Sequence, residues 1–197
     1  MPANKVHKKS DRTKAKIYNT AMNLFENRGY DNVSVHDICS KSSVSIGTFY
    51  YYFPSKIDLM LEISNQFDEV FENQLQEKGS DQTYFDYLLD FFDLYAICNE
   101  RSGCGFSGKI IAYRNTHLGS RKYIKKPMYS KLLQIIERGQ MAGEITKSFD
   151  AEFIMDTLLV SARGLVYNWC LHNGSYDLRV MMRKYMEIVS KGILTNN

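Results

Sequence analysis

Apolar residues recur at helical spacing along almost the whole chain, and strand-like alternation is absent. Near the front, Val35, Ile38 and Cys39 give one apolar face to a short helix running to about Ser40. Ser34 is its N-cap, and Asp37, three residues on, completes a capping box. Ser42-Ser43 breaks the helix, and Ser45 caps a second one starting at Ile46. In that second helix Phe49 and Phe53, four apart, point inward, while Ser45, Thr48, Tyr51 and Tyr52 fall away from the seam. Pro54 forces its predecessor out of helical geometry and ends the segment. Ser55 then caps a new helix with Lys56 at its first position, where a cation opposes the helix dipole and needs another reason. A phosphate drawn to the free amides of that helix start would supply one.

Beyond Lys56 the pattern predicts helices only. Ile57 to about Gln76 carries the stripe Met60, Ile63, Phe67, Val70 and Phe71, and Lys78-Gly79-Ser80 stops it. Asp81 is expected to cap the next helix, which runs to about Asn99 with Tyr84, Tyr87, Phe91 and Tyr95 on one side. A shorter helix spans about Phe106 to Asn115, and another about Ser120 to Met141, bent or restarted at Pro127. Asp150 caps a long helix to about His172, and Tyr176-Asp177 opens the last, to about Ile193. The fold class is therefore all-α, with about nine helices, three of them in a head. Residues 1–56 form the expected helix-turn-helix domain with a basic arm, and residues 57–197 the expected body.

Charge sharpens that division. The net charge is +3, but residues 1–56 hold nine Lys/Arg against four Asp/Glu, whereas the remainder is mildly acidic. A basic head on an acidic body suits a protein that meets a polyanion with one end. Lys5, Lys8 and Lys9 are either a solvated tail or an arm that touches DNA. Cys39, Cys98, Cys104 and Cys170 form no CxxC pair and no zinc spacing, so no metal or cofactor is expected. No leader and no long apolar run is evident, which predicts a cytoplasmic chain with reduced thiols. Cys98 and Cys104 flank a loop-like stretch and read as free thiols or, alternatively, a redox pair.

The stretch from Ser34 to Leu59, above all Gly47-Thr48-Phe49-Tyr50-Tyr51-Tyr52-Phe53-Pro54-Ser55-Lys56, resembles the signature of the tetracycline-repressor (TetR) family of bacterial transcription regulators. Ala21 to Tyr30 is similar to the end of the family's first helix and its glycine stop. The strong resemblance covers about the first third of the chain. It departs at Ser43, where the family usually has glycine and where a left-handed backbone would cost roughly 1 kcal/mol. Cys39 stands where alanine is commoner.

The resemblance implies that Ser34, Tyr50 and Lys56 contact phosphates, and that His36, Ser45, Ile46, Gly47, Thr48 and Tyr52 approach base edges. Singly, Ser34 and Ser45 are also ordinary caps, and Tyr50 and His36 ordinary surface residues; their joint spacing favours DNA. The resemblance further implies a double-stranded operator, a small-molecule effector held among the body helices, and a homodimer. Phe67, Phe71, Phe92, Tyr95, Tyr113, Arg163, Tyr167 and Trp169 are the candidate effector-lining residues, each also readable as plain core. Arg163, inside an apolar helix, needs an anion: Asp86, Asp90, Asp93 or a ligand.

Ala151 to Leu171 is apolar on more than one face, which predicts burial against its own core and against a second copy. Leu158, Ser161, Ala162, Gly164 and Leu165, with Met181, Tyr185 and Ile188 of the closing helix, are the expected dimer contacts. The function so implied is a ligand-responsive regulator, a repressor released from a palindromic operator by a lipophilic or aromatic effector. The alternative is a helical enzyme carrying a DNA-binding head, but no catalytic constellation or phosphate loop is evident.

Overall fold

The computed structural model describes the backbone of residues 3–117 and 127–195, and within it the side chains except those of 3–11, 63–68 and 113–117. All its regular elements are helical: α1 (Ala3–Arg28), α2 (Val35–Ser42), α3 (Ile46–Tyr52), α4 (Lys56–Gln74), α5 (Tyr84–Ser102), α6 (Cys104–His117), α7 (Pro127–Met141), α8 (Ala151–Leu171) and α9 (Leu178–Lys191). The expected stretch from Ser120 to Lys126 lies outside the described residues. Pro127 opens α7, a position where its missing N–H costs nothing. Among the described residues no helix is long and apolar enough to cross a membrane.

The chain divides into two compact units, Met1–Asn65 and Gln66–Asn197. The division falls within α4, not at Lys56. The physical reason is that the first turns of α4 belong to the head: Leu59 and Met60 are buried, and Glu62 takes a 2.7 Å ion pair from Lys14.

In the first unit, Ile17, Ala21, Leu24 and Phe25 of α1, Ile38 of α2, Phe49 of α3 and Phe53 are all buried. Ser34 caps α2 through a reciprocal box with Asp37, as its sequence spacing predicts. Ser43 ends α2 at φ 53, ψ 46, in the left-handed region, with its N–H donating to the carbonyls of Cys39 and Ser40. A serine there carries the Cβ strain that glycine avoids. Ser43→Gly is therefore expected to stabilise the head by about 0.5–1 kcal/mol, discounted for the freer unfolded chain. Thermal melts of the two proteins check this, with the variant melting higher.

In the second unit α5 is the central element. Leu88, Phe91, Phe92 and Ala96 are fully buried, as are Leu132, Ile136, Leu158, Leu159, Val166, Met182 and Met186 of α7, α8 and α9. Thr83, not Asp81, caps α5, because Glu144 reaches across to accept the Tyr84 N–H at 2.6 Å and fixes the helix start there. Glu100 does the same for α9, accepting the Leu178 N–H at 2.7 Å beside the Asp177 cap. Asp150 caps α8.

Candidate nucleic-acid interface

The helix pair α2–α3 is built by local chemistry. The Ser34 hydroxyl accepts the Asp37 N–H at 3.1 Å, and the Asp37 carboxylate accepts the Ser34 N–H at 2.8 Å. Hydrogen bonds from the Ser34 hydroxyl and N–H hold the Asp37 carboxyl below its ordinary range. Ser45 caps α3, its Oγ accepting the Thr48 N–H at 3.0 Å and lying 2.8 Å from Thr48 Oγ1. The inner side of α3 is Phe49, with Phe53 just beyond its end; both are buried, 5.8 Å apart between ring centroids.

The outer side is open. Ile46, Tyr50 and Tyr51 are 48%, 50% and 78% exposed, and Ser45 and Gly47 are exposed as well. A Cβ on Gly47 would meet only Ser45 Oγ, at 3.8 Å, so the helix start offers a nearly bare backbone. Thr48 and Tyr52 are half-buried beside this face, and His36 of α2 is exposed. Ser34, His36, Ser45, Ile46, Gly47, Thr48, Tyr50 and Tyr52 thus all lie on α2, α3 or their caps. Tyr51, the most exposed of the large apolar side chains of α3, was not among the residues expected to meet DNA, although the Phe49–Phe53 seam already turns it outward.

Lys56 sits differently from its expected role. Its ammonium donates at 2.7 Å to both the Tyr30 and Val33 carbonyls and lies 3.9 Å from the Tyr30 ring centroid. These contacts answer the question of why a cation opens a helix: it ties the start of α4 to the α1–α2 connection.

Among the described residues, the candidate effector residues differ in exposure. Phe71, Phe92, Tyr95 and Trp169 are buried, Phe71 packing on Phe91 at 4.7 Å, and the Trp169 indole N–H donates to the Tyr176 carbonyl at 2.9 Å. Tyr167 is 51% exposed on the outer face of α8, not inside the body. The side chains of Phe67 and Tyr113 lie outside the described residues. The Arg163 Nη2 donates to Tyr129 Oη at 3.2 Å. Asp90 and Asp93 instead take Arg183 of α9, at 3.3 and 2.6 Å. Burial works against the Arg183 cation, yet Asp93 and then Asp90 raise its pKa above the ordinary value. Phe71 does line a cleft of about 240 Å³ with Glu72, Pro127, Ser130, Lys131 and Gln134.

Three of the expected dimer contacts are corrected. Leu158, Ala162 and Leu165 face their own core, at 0%, 0% and 9% exposure, because that side of α8 packs in the cluster around α5, α7 and α9. Ser161 is half-buried, and Gly164, Met181, Tyr185 and Ile188 are exposed. The four cysteines are free thiols. Cys104 lies against Cys170, whose Sγ is 3.0 Å from the Cys104 carbonyl. Burial pushes both the Cys98 and the Cys170 thiol up to about 11, so both stay protonated at neutral pH.

Against known proteins, the pattern of the bacterial regulatory proteins of the tetR family matches residues 17–63, which is α1 from Ile17 through the first turns of α4. The chain is 22% identical over 192 residues to the fatty acid metabolism regulator protein of Bacillus subtilis (strain 168), spanning 90% of this chain and 93% of that one. It is 41% identical over 63 residues to the uncharacterized HTH-type transcriptional regulator YuxN of the same organism, spanning 32% of this chain and 22% of that one. Among solved structures, Thermus thermophilus FadR, a TetR family transcriptional repressor in complex with lauroyl-CoA, has the same fold, with a TM-score of 0.69, 20% identity, and coverage of 93% and 96%. With its capped α2–α3 pair, its outward-facing α3 and this match through the head, the chain belongs to the TetR family of bacterial transcription regulators.

Proposed function

We propose that the protein is a cytoplasmic repressor that binds a palindromic operator as a homodimer and leaves it when a lipophilic molecule occupies the body. The observation that carries the DNA reading is α3, a helix capped at Ser45 with its aromatic seam buried and its first turn bare to solvent. A helix so presented enters the major groove with its N-terminal residues on base edges. Ser45, Ile46, Gly47, Thr48 and Tyr52, with His36 from α2, read bases; Ser34 and Tyr50 hold phosphates, and Tyr51 joins the same outward face.

The fatty acid metabolism regulator and the lauroyl-CoA complex among the relatives make a long-chain acyl thioester the first effector to try. The relatives are transcription regulators, and no observation on this chain favours an enzyme. An effector acts only through its differential affinity for the DNA-competent and DNA-incompetent forms; taking the population from 99:1 to 1:99 needs ~5.5 kcal/mol. Linkage then requires operator DNA to weaken effector binding by the same factor.

Band-shift and footprint titrations of the operator upstream of its own or neighbouring genes, with and without lauroyl-CoA, test the reading. Thr48→Ala and His36→Ala are expected to change preference among operator variants by about tenfold at single base positions. Tyr50→Phe should weaken all sequences alike. An unchanged footprint and unchanged preference in Thr48→Ala would remove α3 from the base-reading role.

A further inference from the structure

We propose that Cys104 and Cys170 are a peroxide-responsive thiol pair, closing to a reversible disulfide that fastens the start of α6 to the end of α8. The two residues meet where those helices pack on each other. The Cys170 thiol donates to the Cys104 carbonyl at 3.0 Å. Only the C, Cα and Cβ atoms of Cys104 separate that oxygen from its own sulfur, so the two sulfurs are neighbours. Burial first, and then the nearby Cys104, push the Cys170 thiol up to about 11. In the sequence the nearest thiol to Cys104 is Cys98; the fold turns Cys98 into the core of the body, at 2% exposure, and brings Cys170 across from 66 residues away.

Both partners are half-buried, so a small polar oxidant reaches them. Gly103 turns the chain from α5 into α6 at φ +80, and a Cβ on Gly103 or Gly105 would meet nothing within 4 Å. A junction with glycine on both sides lets Cys104 make the small shift that a bonded S–S geometry requires. Bare backbone also faces each sulfur: a Cβ on Gly108 would meet the Cys170 Cβ and Sγ at 3.6 Å, and one on Gly174 would meet the Cys104 Sγ at 3.7 Å. That leaves each sulfur room to rotate toward the other.

Cys104 takes the first step, because Cys170 is held protonated. Having released its proton, the Cys104 sulfur attacks one oxygen of the peroxide. An S–O bond forms, the O–O bond breaks, and the departing hydroxide takes up a proton to become water. The Cys170 sulfur, its proton released in turn, attacks the Cys104 sulfur. The S–S bond forms, the S–O bond breaks, and a second hydroxide leaves as water. Two thiols are thereby oxidised to one disulfide while one peroxide is reduced to two waters. A dithiol reductant reverses the change by exchange, itself becoming a disulfide. In a reducing compartment such a bond is transient and redox-sensing. The inference goes beyond the proposed function and rests on neither operator nor effector binding.

The test is hydrogen peroxide on the full, reduced chain, followed by alkylation, trypsin and mass spectrometry without reductant. Trypsin leaves Cys98, Cys104 and Cys170 in separate peptides, residues 79–101, 102–109 and 164–179, so the pairing is read directly. The expected product joins 102–109 to 164–179, two hydrogens lighter than their sum, and dithiothreitol splits it. Cys170→Ser keeps a hydroxyl donor for the Cys104 carbonyl; it should form no bond and hold Cys104 as a sulfenic acid that dimedone captures. The oxidised parent should melt higher by roughly 5–10 °C, since the bond closes a long loop in the unfolded chain. A bond to Cys98, a bond only between chains, or Cys104 and Cys170 still unjoined after peroxide overturns the proposal. So does a crosslinked chain that melts no higher than the reduced one, because the bond would then not fit the native fold. A chain that closes the bond as expected but binds no operator leaves this site standing and removes the proposed function instead.

Discussion

Replacing Lys56 with alanine is expected to lower the stability of the DNA-binding head by about 2–4 kcal/mol, a larger effect than the loss of any one phosphate contact. Two carbonyls, of Tyr30 and Val33, share the one ammonium at 2.7 Å. Each such charge-assisted bond is worth about 1.5–3 kcal/mol, and truncation takes the ammonium from the Val33 carbonyl and leaves the Tyr30 carbonyl only the long 3.4 Å bond from the Val33 N–H. Stacking of the cation on the Tyr30 ring adds to the loss. Arginine should not rescue it, because a planar guanidinium cannot place one nitrogen on two converging carbonyls as an ammonium does. The two roles separate cleanly in experiment. A structural tie appears as a lower melting temperature of the head, before any DNA is added. A phosphate contact appears as a shallower salt dependence of operator binding, by about one unit of slope, in a protein that melts normally. Normal melting together with the shallower slope would return Lys56 to the phosphate role.

That case shows what a sequence does and does not reveal. The anomaly at Lys56 is visible in the letters, since a cation at a helix start is misplaced; its solution is not, because the carbonyls that resolve it stand 23 and 26 residues earlier. Local chemistry was readable wherever cap and helix are neighbours, as at Ser34, Ser45, Asp150 and Asp177. Ser43 is different: the letters show only a break there, and its left-handed backbone was expected from the family resemblance, in which glycine is usual at that place. Reading failed where two local signals compete and a distant residue decides. Asp81 and Thr83 are both good caps, and Glu144 selects the second from 60 residues away. Arg163 and Arg183 both needed an anion; the meeting of α5 with α9 gives Asp90 and Asp93 to Arg183. Tyr167, expected among the effector-lining residues, faces outward for a related reason, since aromatic spacing on one helix does not say which face the neighbouring helices cover.

Helix α8 is the sharpest instance, and it carries the second large prediction. Two apolar faces were evident in its sequence, but amphipathicity alone does not say which turns inward. Leu158, Ala162 and Leu165 pack inside; Phe153, Val160, Tyr167 and Leu171 stay 51–64% exposed. These four, with Thr157 and Gly164, step along the helix by four and three residues in turn, the repeat of a helix-packing seam. On α9, Met181, Tyr185 and Ile188 follow the same step and are 41%, 38% and 71% exposed. Seven large side chains at seam spacing on two helices are the proposed contact with a second copy. Full burial of each is worth about 1.5–3 kcal/mol gross, enough to offset the entropy of association.

Gly164 makes the test selective. A Cβ at that position would meet nothing within 4 Å in the single chain, and glycine is the poorest helix former after proline. Gly164→Leu is therefore expected to leave the monomer as stable as before or more so, while a second copy packed on the seam cannot accept it. Val160→Glu, on the same exposed face, should act similarly by burying a charge against the partner. Leu165→Glu is unsuitable, since it would place that charge in the chain's own core. Sedimentation should find the parent dimeric at micromolar concentration and both variants shifted to monomer. With the two heads no longer linked, operator affinity should fall by about 10²–10⁴, because the second half-site loses its effective concentration. Gly164→Leu sedimenting as the parent does, with operator affinity intact, would mean that this seam does not meet a second copy and that the dimer, if the protein forms one, uses another face.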